Sequence, residues 1–257
     1  MDKKIIMLTE GGRFSTYLYN ALKEDFSIAG VVVEDKISKK KLLKNRTKKL
    51  GYVKVLGQIF FQIFVQKTLE YTSKKRINLI ELNYNLNKQA IPSQIIKKVE
   101  SVNSNSCIAY LKAESPDIVI VNGTRIISKE VLNSIDALFL NIHTGITPQY
   151  RGVHGGYWAM VCQDAQNCGV TVHFVDSGID TGKVLLQSRI NPTSKDNFAT
   201  YPYLQIGEGI ILMKQAISNL LKDEIQTQDR SSQEKGNLWY HPTIWFYLYK
   251  RLTKRIK

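Results

Sequence analysis

The residues best placed to do chemistry stand two apart near the middle of the chain. In the run Leu138-Phe139-Leu140-Asn141-Ile142-His143, strand alternation sets Phe139, Asn141 and His143 on one face and Leu138, Leu140 and Ile142 on the other. An amide and an imidazole side by side at the carboxyl end of a parallel strand stand where open α/β sheets bind ligands. Gly145, Pro148 and Gly152 in the next stretch mark a structured loop. The plainer alternative is that Asn141 and His143 only satisfy backbone groups of a turn. The other histidines carry less. His154 and Trp158 are four apart, on one helical face, and read as packing or loop support. His173 reads as a hydrogen-bonded core histidine, and His241 gives no signal.

The elements that must position this pair follow an α/β grammar. Lys4–Leu8 predicts a short buried strand, Thr9-Glu10-Gly11-Gly12 a turn, Ser15–Lys23 a helix and Ile28–Val33 a second strand. Strand, glycine turn, helix and parallel strand form a right-handed crossover. The pattern resumes with a helix over Asn105–Glu114, a strand at Ile118–Val121, a helix over Ser128–Ser134 and the strand Leu138–His143. Strands at Val170–Val175 and Val184–Ile190 and a long helix over Tyr201–Leu221 complete it. This predicts a Rossmann-like α/β fold, a mostly parallel sheet with helices on both faces. The expected division is a catalytic domain over residues 1–190, with a basic and apolar helical insertion at 36–76, and a C-terminal helical extension over 191–257.

With 257 residues, 43% of them hydrophobic and 23% charged, the chain has a globular balance that excludes wholesale disorder and collagen-like repeats. Three cysteines make no disulfide framework, and the first residues show no secretory pattern, so the expected compartment is the cytoplasm. Residues 36–76 carry +12 and residues 250–257 carry +5 of a net charge of +14, so the remainder is slightly acidic. A nucleic-acid enzyme spreads positive potential along a groove, so nucleic acid is not the expected partner. Within the insertion, Lys54, Gln58, Gln62, Gln66 and Glu70 recur every four residues, a narrow polar stripe on an otherwise apolar helix, which argues against a membrane span. The tail clusters Trp239, Tyr240, Trp245, Phe246, Tyr247 and Tyr249 ahead of five bases.

NIHTGITPQYRG, beginning at Asn141, and GVTVHFVDSGIDTGKVLLQ, beginning at Gly169, resemble the signature of the folate-dependent formyltransferases. That family includes glycinamide ribonucleotide transformylase, methionyl-tRNA formyltransferase and the sugar N-formyltransferases. The resemblance covers roughly residues 115–190, with a weaker match over the first 33. Its specific part is the Asn-x-His pair followed about 39 residues later by Asp180. It implies that Asn141, His143 and Asp180 form the catalytic trio and that 10-formyltetrahydrofolate is the co-substrate, with no metal. Asn141 and a charged His143 would donate hydrogen bonds to the formyl oxygen as an amine attacks. Asp180 would keep His143 charged and take up the proton released by the new ammonium. The resemblance places the pterin against two loops, Asn122–Ile127 and Val175–Asp180, and so implies cofactor-binding roles for Gly123, Thr124, Arg125, Ile127, Val175, Asp176 and Gly178. The bland alternative for both loops is a pair of ordinary βα turns. The chain departs from the family pattern in Thr144-Gly145-Ile146-Thr147-Pro148, where Pro-Ser-Leu-Leu-Pro is common. It departs again in the glycine turn Glu10–Ser15, where Glu10 argues against a transplanted phosphate site.

Length and elimination among family branches favour the amino-sugar N-formyltransferases, which act on nucleotide-linked sugars for surface polysaccharide such as lipopolysaccharide O-antigen or capsule. Another amine acceptor such as glycinamide ribonucleotide is the alternative within the family. A catalytically inactive basic protein binding membrane or nucleic acid is the alternative outside it. The two basic-apolar segments suggest a peripheral contact with an anionic membrane at its inner face, or else a helix packed on the sheet or on a second copy in a homodimer.

Overall fold

A computed structural model describes residues 3–227 and 236–257. β1 (Ile5–Thr9), α1 (Arg13–Leu22) and β2 (Ile28–Glu34) form the opening crossover. Ile5 and Met7 of β1 enter one hydrophobic cluster while Ile6 and Leu8 enter another, so the strand is buried on both sides. The insertion follows as α2 (Lys39–Leu50), α3 (Tyr52–Phe60), a π-helical segment (Phe61–Gln66), α4 (Lys67–Thr72) and α5 (Lys74–Asn83). Ser38 caps α2 by accepting from the Lys41 amide, and Gly51 at φ +81 turns the chain into α3.

The chain then re-enters the sheet through β3 (Ile96–Val99), an edge strand the sequence reading does not anticipate. α6 (Asn105–Glu114), β4 (Ile118–Asn122), α7 (Lys129–Leu132) and β5 (Leu138–His143) fall where the pattern predicts them. β6 (Tyr150–Gly152), α8 (Gly155–Val161), β7 (Gly169–Phe174), β8 (Val184–Arg189), α9 (Tyr201–Leu221), β9 (Asn237–Trp239) and α10 (Ile244–Lys254) complete the described residues.

The main sheet has seven strands in the order β3-β2-β1-β4-β5-β7-β8. The first five run parallel, β7 pairs antiparallel with β5, and β8 pairs antiparallel with β7 and so runs with the first five. The fold is thus Rossmann-like and mostly parallel, with helices on both faces. α6 and α7 cover Ile6, Leu8, Val119 and Val121 on one face. On the other, α9 lies across β5, β7 and β8 and touches α1 and α5, so the segment from residue 191 begins inside the principal core. Arg76 holds the insertion to this layer, its Nε and a second guanidinium N–H each donating to the buried Asp196 carboxylate at 2.8 Å.

The middle of the insertion's polar stripe, Gln58 and Gln62, faces inward, while Lys54 and Glu70 at its ends are exposed. Gln58 is buried, donates to the His241 carbonyl at 2.7 Å and accepts from Arg46 at 2.7 Å. Gln62 Nε2 lies 3.3 Å from His241 Nδ1. Val55 and Phe61 are buried beside these glutamines, while Val53, Leu56, Phe60, Ile63 and Phe64 on the other side of the rod are exposed.

Candidate active site

The site is built where β5 ends. Val121 of β4 pairs with Asn141 on one side, and His173 of β7 pairs with it on the other. Residues opposed across an antiparallel ladder share a face, and Asn141 Nδ2 stands 3.2 Å from His173 Nε2. His173 Nδ1 lies 2.7 Å from the Phe174 carbonyl and must donate to it. The neutral Nδ1–H tautomer follows, with the Nε2 lone pair accepting from Asn141. Burial holds the His173 pKa below the ordinary histidine value, and nearby His143 adds to that lowering. One of the two Asn141 amide hydrogens is thereby fixed; the other has no partner among the described residues.

His143, two residues on, is buried. Its Nδ1 lies 3.3 Å from Asp180 Oδ1 and its Nε2 2.7 Å from the Tyr150 carbonyl. Both nitrogens face acceptors, an arrangement that only the doubly protonated ring satisfies fully. Burial opposes the charge, but the Asp180 hydrogen bond and charge outweigh it, and the His143 pKa is raised. Burial likewise pushes against ionised Asp180. The hydrogen bond and charge of His143 and the Gly152 amide win, and its pKa falls to about 2. The Gly152 N–H donates to Asp180 Oδ2 at 2.9 Å. Asp180 reaches this position from a left-handed backbone, φ +52.

The loop after His143 is pinned by groups with no sequence signal of their own. Thr171 Oγ1 donates to the Gly145 carbonyl at 2.8 Å and accepts from the Thr147 amide at 3.1 Å. A Cβ on Gly145 would fall 2.4 Å from the Tyr150 carbonyl and 2.9 Å from His143 Nε2, so only glycine lets that carbonyl meet the ring.

The structure therefore brings Asn141, His143 and Asp180 together. The two loops implied for the cofactor both start within two residues of Asn141, since Val121 pairs with it and the Val175 amide donates to the Phe139 carbonyl at 2.8 Å. Gly123 is left-handed at φ +68, and a Cβ there would meet nothing within 4 Å, so that turn faces open space. Ile127 is buried beneath it. Thr124 donates to the Arg125 carbonyl. Arg125 points the other way: its guanidinium donates to the carbonyls of Glu100 and Asp35 and its amide to Glu34 Oε1, all at the ends of β2 and β3. Asp176 accepts from the Gly178 amide at 3.0 Å and from Thr181, which shapes the second loop. His173, the Gly152 amide and the Tyr150 carbonyl contact Asn141, Asp180 and His143 respectively, partners that sequence reasoning missed. His173 had one signal available, its place opposite Asn141 if β7 runs antiparallel.

Beside the trio opens a cleft of about 1150 Å³. Thr144, Gly152, His154 and Asn122 line its near side, and Lys67, Glu70, Tyr71 and Lys74 of the insertion line its far side. His154 and His241 also border it, 2.9 Å apart, with burial holding His241 down to about 4 and His154 well below its ordinary value.

A family model described as formyl transferase matches residues 3–202. The chain belongs to the formyl transferase family. It is 29% identical over 146 residues to a methionyl-tRNA formyltransferase of Thermodesulfovibrio yellowstonii, which covers 56% of this chain and 46% of the relative. To that of Methylacidiphilum infernorum it is 33% identical over 124 residues, 44% of this chain and 38% of the relative. The chain thus spans less than half the length of the curated relatives it matches. Among solved structures, a sugar N-formyltransferase from a Shewanella species superposes with a TM-score of 0.56 at 16% identity, covering 92% of this chain and 76% of that one. Glycinamide ribonucleotide transformylase 1 from Symbiobacterium toebii gives 0.58 at 17% identity, covering 89% and 92%. At these identities the likeness is one of fold. Among the described residues no helix is long and apolar enough to cross a membrane.

Proposed function

We propose that this chain is a cytoplasmic N-formyltransferase that moves the formyl group of 10-formyltetrahydrofolate to the amine of a nucleotide-linked amino sugar for surface polysaccharide. The observation that carries the reading is the paired His143 and Asp180, with Asn141 two residues before His143 on the same strand and held by His173, beside a cleft that their neighbours Ile142, Thr144 and Gly152 line. The folate fits the two loops in its chemistry. A flat heterocycle edged with donors and acceptors suits backbone groups, and the turn at Gly123 leaves its front open. Gly123, Thr124, Ile127, Val175, Asp176 and Gly178 would frame it, while Arg125, its amide and guanidinium both engaged behind the turn, would brace that loop rather than meet the folate.

Bound there, the folate supplies a formyl carbon open to attack by an amine. The unclaimed Asn141 amide hydrogen is the donor available to the oxygen on which charge grows. His143 holds a positive charge beside it in a dry setting, where that charge acts strongly. The His143 Nε2–H can reach a second acceptor only by leaving the Tyr150 carbonyl. Asp180, kept ionised, is the base that takes the proton released by the amine, directly or through water. Because the amine gives up one proton as the carbon–nitrogen bond forms, and the folate nitrogen regains one as its bond breaks, the trio moves protons without net consumption.

A cleft of this size exceeds what a small amine needs, and its far wall carries lysines suited to a diphosphate. The test is formyl transfer to a panel of nucleotide-linked amino sugars plus glycinamide ribonucleotide, read by mass spectrometry. One acceptor is expected to gain one formyl group, with Asp180→Asn slower by roughly a hundredfold or more. Formylation of glycinamide ribonucleotide alone would replace the sugar reading. Full activity in Asp180→Asn would remove the catalytic assignment.

A further inference from the structure

The insertion and the tail share an outward face that no other described residues cover. With its glutamines turned inward, the rod from Tyr52 to Thr72 presents Val53, Leu56, Phe60, Ile63 and Phe64 to solvent, Val53 being 74% and Phe64 60% exposed. α10 lies beside α3 and does the same. Trp245, Leu248, Tyr249 and Leu252 recur at helical spacing on its outer side, Leu252 being 81% exposed. The two stripes are continuous. Tyr52 and Val53 share a shallow apolar groove with Trp245 and Tyr249, and a Cβ on Gly57 would fall 2.2 Å from the Trp245 ring, so glycine lets the helices close up. An exposed apolar surface of this extent marks an interaction site.

Charge says what covers it. α2 carries six lysines and Arg46 with no acid, and none of its residues is buried. On the far flank residues 250–257 hold five bases and no acid. A second copy meeting this face about a two-fold axis would bring these basic flanks against each other. A surface of anionic lipid satisfies both parts at once, with aromatic and aliphatic side chains entering the headgroup boundary and lysines on the phosphates. We infer that this face, α2 with the outer sides of α3–α4 and α10, docks the protein on an anionic bilayer. The inference is independent of which amine the site formylates. It has a consequence for the site, since Lys67, in the rod whose outer side would lie on lipid, and Lys74, just beyond it at the start of α5, both line the cleft. The cleft would then open beside the membrane.

Flotation of the intact chain with vesicles of phosphatidylglycerol and phosphatidylcholine, against phosphatidylcholine alone, tests this. Binding to the anionic vesicles at low salt is expected, weakening steeply as salt rises. Tryptophan emission should shift to the blue on binding, and that shift should be lost in Trp245→Phe. Val53→Glu with Phe64→Glu changes only exposed positions. The pair should lower vesicle binding by about tenfold or more while thermal melting stays unchanged. Failure to bind anionic vesicles at low salt would overturn the inference, as would equal binding by the double variant. A stable dimer in sedimentation that Phe64→Glu dissociates, with no vesicle binding, would reassign the face to a subunit contact.

Discussion

At the scale of single residues the site works by fixing hydrogen directions in advance. His173 is the case in point, because its tautomer is set by the Phe174 carbonyl and its free nitrogen then orients Asn141. It would touch no reacting atom in the proposed mechanism and would act as a positioning residue. His173→Leu is expected to lower kcat by tens to hundreds of fold with little change in the KM of the folate, and His173→Gln, which keeps an acceptor, should recover part of it. A purely structural role would move melting temperature and leave that kinetic split absent. The His143–Asp180 pair makes a prediction in pH. Asp180 is held to about 2, so its stabilisation is present above the ordinary carboxylate value and is lost as pH falls toward 2. His143 is raised, so its part is complete below the ordinary histidine value and fades as pH climbs through the raised one. These are two views of one pair. Urea unfolding should place the gap between wild type and Asp180→Asn at about 2 kcal/mol between those limits, shrinking on both sides. A gap independent of pH would mean the carboxylate packs without pairing. Asn141 and His143 were legible in the sequence because alternation along six residues fixes a shared face. His173 was not, since a buried strand reads the same whichever direction it runs.

At the scale of elements, periodicity located the helices but left their orientation open. α6 and α9 fall on their predicted spans because apolar spacing is reinforced by local ends, Ser104 capping α6 and the Pro202 position opening α9. β3 was missed because IKKV neither alternates nor runs apolar, its lysines lying on an exposed edge. The three-residue β6–β9 pair has too little pattern to find, yet it brings Gly152 to Asp180. The glutamine stripe was visible, but period four cannot say which side faces protein. The answer sits in His241, 183 residues from Gln58. That inward stripe is testable. Gln58→Leu keeps the volume and deletes both bonds, leaving Arg46 and the His241 carbonyl unmatched in a buried setting. A loss of about 2 kcal/mol in unfolding free energy is expected. A neutral or stabilised variant would mean water reaches this seam. Gly152→Ala should destabilise too, since φ is +95 and a Cβ would lie 2.4 Å from the Trp239 carbonyl. Its cost of at least about 1 kcal/mol should come with slower turnover, because the amide on Asp180 moves with the strand.

At the scale of the whole molecule, the insertion joins a surface to a site. The candidate catalytic residues sit on and beside the sheet, while the insertion that breaks the α/β alternation supplies part of the wall of the neighbouring cleft. The charges within that cleft are unequal in availability. Lys88 is paired with Glu81 at 2.6 Å, and Arg13 is held by Tyr203. Lys67 and Lys74 make no carboxylate pair among the described residues, and the Lys74 ammonium sits 4.7 Å from the Tyr71 ring centroid. Under the proposed function, two cations lining the cleft without carboxylate partners would attract an anionic acceptor. If the acceptor carries a diphosphate, Lys74→Glu should raise its KM by about tenfold while kcat and the KM of the folate hold. Lys74→Met, which removes the charge without reversing it, should fall between. In the proposed arrangement the neutral folate head would lie on the loops at Gly123 and Gly178 and away from the lysines, so the two KM values would separate in this assay. An equal rise in both KM values would place the lysines on the side of the folate's acidic tail. No rise in either would leave the insertion's charge to the lipid surface alone, and the acceptor's carrier would have to bind elsewhere along the sheet.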